Sequence, residues 1–165
     1  MTRLFVAVWP SEDVLTQLED LERPRDQGVK WVPTENLHIT LRFLGDADAD
    51  EVGDRLADVT LPRVTARVGP ANDVVAERAL ILPVAGVDEL AAVVVRATRG
   101  LGTERERPRF QGHITLARLA RQARPARSVG SRFAAEFEVE EVALVASTLA
   151  PSGAQYDTVG TWPTR

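Results

Sequence analysis

The chain has no cysteine. That removes disulfides, thiolate metal sites and thiol nucleophiles from consideration at once. No apolar run is long enough to span a bilayer, and the opening stretch Leu4 to Trp9 is stopped by Pro10 before any signal-like cleavage region. It reads as a first buried strand in a cytoplasmic protein with no membrane partner. The sequence also lacks a P-loop, a dinucleotide-type glycine pattern and a Gly-x-Ser-x-Gly nucleophile elbow. Lysine is nearly absent: Lys30 stands alone against nineteen arginines, which codon bias explains as well as phosphate recognition does. Histidine is scarcer than its chemistry would suggest, with only His38 and His113 in the chain.

What is present is ordinary in bulk and uneven in detail. With 165 residues, 44% hydrophobic and 27% charged, the chain is long enough to bury a continuous core. A net charge of −4 argues against a protein that grips a long duplex through its phosphates. Acids crowd residues 46–58, whereas residues 118–132 carry Arg118, Arg121, Arg124, Arg127 and Arg132 and no acid. Such a basic wall could receive a short phosphorylated ligand, or it could simply face water.

The two histidines open the same tetrapeptide, His38-Ile39-Thr40-Leu41 and His113-Ile114-Thr115-Leu116. An identical three-residue tail arises by chance roughly once in a thousand cases, so a duplicated unit is the first inference. The surroundings agree. A strand from Leu4 leads into a helix capped by Ser11 with Val14, Leu15, Leu18 and Leu21 on one face, and Leu37 to Leu44 then forms a strand. A second helix carries Val52, Leu56 and Val59, and Val64, Ala66 and Val68 alternate in a further strand. The pattern then repeats: a strand at Ala79 to Val84, a helix capped by Asp88 carrying Val87, Leu90, Val94 and Leu101, and a second histidine strand. His38 lies 35 residues after Arg3, and His113 lies 34 after Ala79. Residues 120–132 replace a clear second helix, and Phe137 to Thr148 with Ala154 to Trp162 read as an antiparallel pair. The expectation is an α+β fold: one bilobal domain over 1–165, halves near 1–72 and 73–165. Two antiparallel sheets would flank a central groove, with helices outside and a pseudo-twofold between the halves.

Strand alternation places His38 and Thr40 on one face with Ile39 and Leu41 on the other, and treats His113, Thr115, Ile114 and Leu116 alike. Two such strands across a groove would gather two imidazoles and two hydroxyls, a site suited to a tetrahedral anion. Imidazole titrates near neutrality, so one ring can act as base while the other acts as acid. Phosphodiester hydrolysis needs that pair, and threonine hydroxyls can donate to the nonbridging oxygens. A metal centre is disfavoured: two histidines lack a third ligand at suitable spacing, and threonine is a poor zinc ligand. No cofactor is expected. If its strand continues regularly, Arg42 shares the face of His38 and could bind phosphate. Arg118 falls on the opposite face from His113 unless a bulge or strand end brings it round. Core packing suits Trp31, whereas Tyr156 is open to stacking on a nucleobase.

At these residues the chain resembles the two-histidine (2H) phosphoesterase superfamily, and most closely its RNA 2′,3′-cyclic phosphodiesterase group, the LigT-like 2′-5′ RNA ligases. Lys30 to Gly45 carries the most specific block, Gly112 to Arg118 the second, and Ser147 to Tyr156 resembles the C-terminal hairpin. Gly112 departs from the proline common before the second histidine. The resemblance implies metal-independent opening of RNA 2′,3′-cyclic phosphate ends to 2′-phosphomonoesters. It makes His38 the proton donor and His113 the acceptor; the strand reading adds Thr40 and Thr115 as catalytic residues and Arg42 and Arg118 as substrate-binding ones. The reverse step would be 2′-5′ ligation. RNA ends or nucleotides with a 2′,3′-cyclic phosphate are the expected partners of a monomer. A relative acting on another cyclic or 2′,5′-linked nucleotide, or a non-catalytic RNA-end binding module, is the alternative.

Overall fold

A computed structural model describes residues 2–76, 78–107, 109–121, 123 and 129–165. In chain order these form β1 (Thr2–Val8), α1 (Glu12–Glu19), β2 (Val29–Trp31), a 3-10 turn (Thr34–Asn36), β3 (Ile39–Ala47), α2 (Ala49–Ala57) and β4 (Val64–Val68). They continue as β5 (Asp73–Val75), β6 (Ala79–Ala85), α3 (Asp88–Ala97), β7 (His113–Leu119), β8 (Ala135–Val139), β9 (Glu141–Ala150) and β10 (Gly153–Pro163). The α+β expectation holds, with sheet predominating.

Instead of two separate sheets there is one ten-stranded antiparallel sheet, with eight strands in the order β10-β9-β1-β3-β7-β6-β4-β8 and, off that path, β2 on β7 and β5 on β6. At its centre β3 and β7 are joined by a single pair, Ile39 opposite Ile114. The order reads alike from either end. β9, β1 and β3 on one side correspond to β4, β6 and β7 on the other, so each side takes a strand from the far part of the chain.

Local sequence accounts for most elements. Ser11 caps α1 by accepting from the Val14 amide, and Asp48 caps α2 by accepting from Asp50 and Glu51. Capping and the first-turn acids Asp50 and Glu51 thus account for part of the acidic run at 46–58, since carboxylates favour a helix N-terminus. At α3 the cap is Val87, not Asp88; Asp88 is the first helical residue, where its charge still suits the helix dipole. Phe137 to Thr148 is not one strand. The chain breaks at Glu140 because β8 pairs with β4 while β9 crosses to β1.

One face of the sheet meets the helices. Val14, Leu18, Val52, Leu56, Leu90 and Val94 pack there with Leu4, Val6, Val8, Ile39, Ile114 and Leu144, all essentially buried. Burying each such side chain is typically worth about 1.5–3 kcal/mol. The other face of β1 carries Phe5 and Ala7 in a small cluster with Ala143, Val145, Trp9 and Tyr156. Here the histidines lie.

Candidate active site

His38 immediately precedes β3, after the 3-10 turn, with buried Leu37 and Ile39 anchoring the backbone on either side. Its Nδ1 lies 2.7 Å from the Asn36 carbonyl oxygen. His113, the first residue of β7, makes the same contact with the Gln111 carbonyl at 2.8 Å. A carbonyl only accepts, so Nδ1 carries the proton in both rings and Nε2 is left as the position for proton exchange. Two residues with one tetrapeptide have found one solution for holding an imidazole.

The Ile39–Ile114 pair sets how the motifs meet. In an antiparallel register the residues either side of that pair are His38 with Thr115, and Thr40 with His113, all on the face away from the buried isoleucines. Each imidazole therefore neighbours the other motif's hydroxyl. The Coulombic influence of His113 on His38 agrees with that proximity.

Both strands then bulge at the fourth residue of the motif. In β3 the register steps from Ala7–Thr40 to Val6–Arg42, leaving Leu41 extra; in β7 it steps from Ile81–Thr115 to Leu80–Ala117, leaving Leu116 extra. A bulge switches the faces of everything beyond it. Arg42 is thereby turned to the helical side, contrary to its expected place beside His38. Its Nη1 donates to the Val95 carbonyl at 3.2 Å, its Nη2 to the Leu101 carbonyl at 3.4 Å, and it pairs with Glu106 at 3.5 Å. It closes the carbonyl end of α3, where a cation is favoured. Arg118 is turned the other way: opposite Ala79 it joins Thr115 on the histidine-bearing face of the sheet, exposed, and its charge acts on His38.

Aromatic rings enclose His38. Phe5 stacks on it with centroids 4.9 Å apart, Tyr156 meets it edge-on at 5.3 Å and Trp9 at 5.6 Å. Burial among them pushes the His38 pKa below the ordinary imidazole value. The Asn36 carbonyl opposes that shift, and the charges of Arg118 and His113 add to it. Tyr156 is thus a wall of the site. Trp31 packs on the core side, its indole donating to the Pro24 carbonyl at 3.0 Å, as expected. Of the basic segment, Arg118, Arg121 and Arg132 are exposed, while Arg124 and Arg127 lie outside the described residues.

Sequence reasoning missed Phe5, Trp9 and Phe43. Alternation already gave a signal for the first two, because Phe5, Ala7 and Trp9 oppose the aliphatic face of β1. Phe43 reaches the face of Phe5 and His38 only through the bulge, which pairs it with Phe5.

Among known proteins, the family described as LigT like Phosphoesterase matches residues 8–69, a stretch holding the first histidine motif. The chain is 31% identical to the RNA 2′,3′-cyclic phosphodiesterase of Archaeoglobus fulgidus, over 93% of this chain and 96% of that one. It is 36% identical to the protein of that name from Thermus thermophilus, over 93% of this chain and 86% of that one. In fold it is similar to Escherichia coli LigT solved with 3′-AMP: TM-score 0.80, 25% identity, 99% of this chain and 98% of that one.

Proposed function

Because the chain belongs to the LigT-like phosphoesterase family, we propose that it opens the 2′,3′-cyclic phosphate of an RNA end to leave a 2′-phosphomonoester. The observation that carries this reading is the pair of imidazoles held alike through Nδ1, each beside the other motif's threonine. In the proposed step a water oxygen bonds to phosphorus as the bond to the 3′ oxygen breaks. His113 Nε2 takes the proton from the water, and His38 Nε2 gives one to the departing 3′ oxygen. The protons then re-equilibrate with solvent. Thr40 and Thr115 donate to the nonbridging oxygens, and Arg118 balances their charge.

The lowered proton affinity of His38 is compatible with its role as acid. In the free protein the ring is mainly neutral at neutral pH. An anionic phosphodiester beside it, neutralising the field of Arg118, raises its affinity for a proton again, so the acid forms where substrate binds. All four motif side chains come from one chain, so the step needs no second subunit, and proton transfer and hydrogen bonding supply it without a metal or cofactor. Ligation is the same step with a 5′-hydroxyl in place of water. The mirrored strand order is read as a duplicated, pseudo-twofold unit over residues 1–165, each half contributing one histidine. No described helix is long and apolar enough to cross a membrane, in keeping with a protein that meets RNA ends in the cytoplasm.

The test is incubation, in chelator, with an oligonucleotide ending in a 2′,3′-cyclic phosphate. A 2′-phosphate product is expected. Release of a 3′-phosphate, loss of activity in chelator, or turnover only of 2′,5′-linked dinucleotides would overturn the reading.

A further inference from the structure

Among the described residues, the side chain of Trp9 is held by one hydrogen bond. Trp9 follows β1 and enters neither of that strand's ladders, which end at Val8 and Ala7, and Pro10 then stops the extended run. Strand pairing therefore does not dictate which way the indole leans. The ring meets His38 edge-on at 5.6 Å, and its Nε1 donates to Thr158 Oγ1 at 3.1 Å, joining the first strand of the chain to the last. An indole N–H usually finds a partner once its ring is packed. A cleft of about 410 Å³ lies against the same ring, bordered by Val8, Pro10, Phe137, Glu138 and Ala143. Once released, the indole has room to swing away.

A bulge places Thr158 for this contact. β10 is an edge strand, and its register on β9 steps from Thr158 opposite Val145 to Gly160 opposite Leu144, leaving Val159 extra. Before the bulge, Tyr156 and Thr158 share the face of Phe5 and His38; beyond it, Trp162 is turned to the helical side and packs on the main core. There Trp162 seats against α2, its Cζ2 3.1 Å from where a Cβ on Gly53 would lie, which accounts for a glycine inside that helix. The edge strand is thus fixed by Tyr156 on one side of the bulge and by Trp162 on the other. Thr158 itself is exposed, and a strand would accept valine there as readily as threonine. What valine lacks is the acceptor.

We infer that Thr158 is a positioning residue for the proposed acid: its hydroxyl oxygen holds the Trp9 indole against His38 and keeps closed a wall that excludes water from that imidazole. The inference rests on the proposed acid role of His38 and adds to it a residue outside both histidine motifs. The charged and titratable groups facing His38 are His113 and Arg118 from β7 and Tyr156 from β10. Opening the wall removes none of them. It admits water, and with it the field of Glu138, Glu140 and Glu141 along the cleft. Both changes favour the charged imidazole.

The chain has two histidines, so the ring protons of each can be titrated by nuclear magnetic resonance without turnover. Thr158→Val should move the His38 titration upward and leave that of His113 in place, whereas Thr158→Ser, which keeps the acceptor, should titrate as the wild type does. In a Trp9→Phe background, where no indole N–H remains to be held, Thr158→Val should change nothing further. With adenosine 2′,3′-cyclic phosphate as substrate, the limb on which kcat/KM falls as His38 loses its proton should move upward in Thr158→Val and stay in place in Thr158→Ser. An unmoved His38 titration in Thr158→Val, the same upward move in Thr158→Ser, or an undiminished effect of Thr158→Val in the Trp9→Phe background would overturn the inference. Absence of turnover in the wild-type protein, with the ring titrations as expected, would sink the acid role and leave the hold of Thr158 on Trp9 standing.

Discussion

The two copies of His-Ile-Thr-Leu share a backbone and differ in company. In both, an isoleucine faces the core, a carbonyl two residues back holds Nδ1, and a bulge follows at the leucine. Around His38, however, three aromatic rings exclude water, and the residue five positions on is Phe43; at the same position after His113 stands Arg118. The fourth positions differ as well: Arg42 is spent on closing α3, and Ala117 is simply buried. One tetrapeptide fixes the same geometry for two imidazoles, and their neighbours give the two rings different surroundings.

The largest effect should come from breaking either copy. His38→Ala and His113→Ala are each expected to lower kcat about 10²- to 10⁴-fold with little change in thermal stability, since both rings lie at the groove and not in the core. Steady-state kinetics with a melting curve checks this; activity retained by either variant would break the paired mechanism.

Next is Arg42, where copy one departs from a substrate role. Arg42→Met should cost about 1.5–3 kcal/mol of stability by freeing the carbonyls of Val95 and Leu101. Denaturant unfolding reads that loss. A variant of unchanged stability whose KM rises sharply would put Arg42 back among the phosphate ligands.

A smaller effect follows from the titration of His38. Burial lowers its pKa in the free protein, so the limb of kcat/KM on which activity falls as His38 loses its proton should lie below pH 6.5. Opening the aromatic wall with Tyr156→Ala should move that limb upward. Nuclear magnetic resonance of the ring protons gives the direct value, and an unchanged His38 titration would show that the wall does not set it.

The smallest concerns folding. A histidine whose pKa is depressed on folding binds protons more readily when unfolded, so its contribution is present above pH 6.5 and lost as pH falls through the lowered value. Unfolding free energies measured from pH 7.5 to pH 5 should decline, and less steeply in His38→Gln. Equal slopes would remove His38 as the cause.

Much of this was legible from residues. The period-two pattern put Ile39 and Ile114 in the core and the histidines and threonines on the other face, and Ser11 announced α1. Face assignment failed after Leu41 because a bulge has no residue signature: leucine sits at both bulged positions and would sit as well in a regular strand. Arg118 was reachable only as a conditional for the same reason. The break at Glu140 was hidden because no glycine or proline marks it, and the chain changes partner there from β4 to β1. Asp88 misled because its side chain suits a cap, whereas the chain enters α3 one residue earlier at buried Val87.

The division of labour between the copies is tested most directly by a leaving group that needs no proton. In a 2′,3′-cyclic substrate whose 3′ bridging oxygen is replaced by sulfur, the departing thiolate is stable unprotonated. The account expects His38→Ala to hydrolyse it within about ten-fold of the wild-type rate while His113→Ala stays impaired by at least about a hundred-fold. Rescue of His113→Ala instead, or of neither variant, would contradict the assignment of His38 as acid and His113 as base.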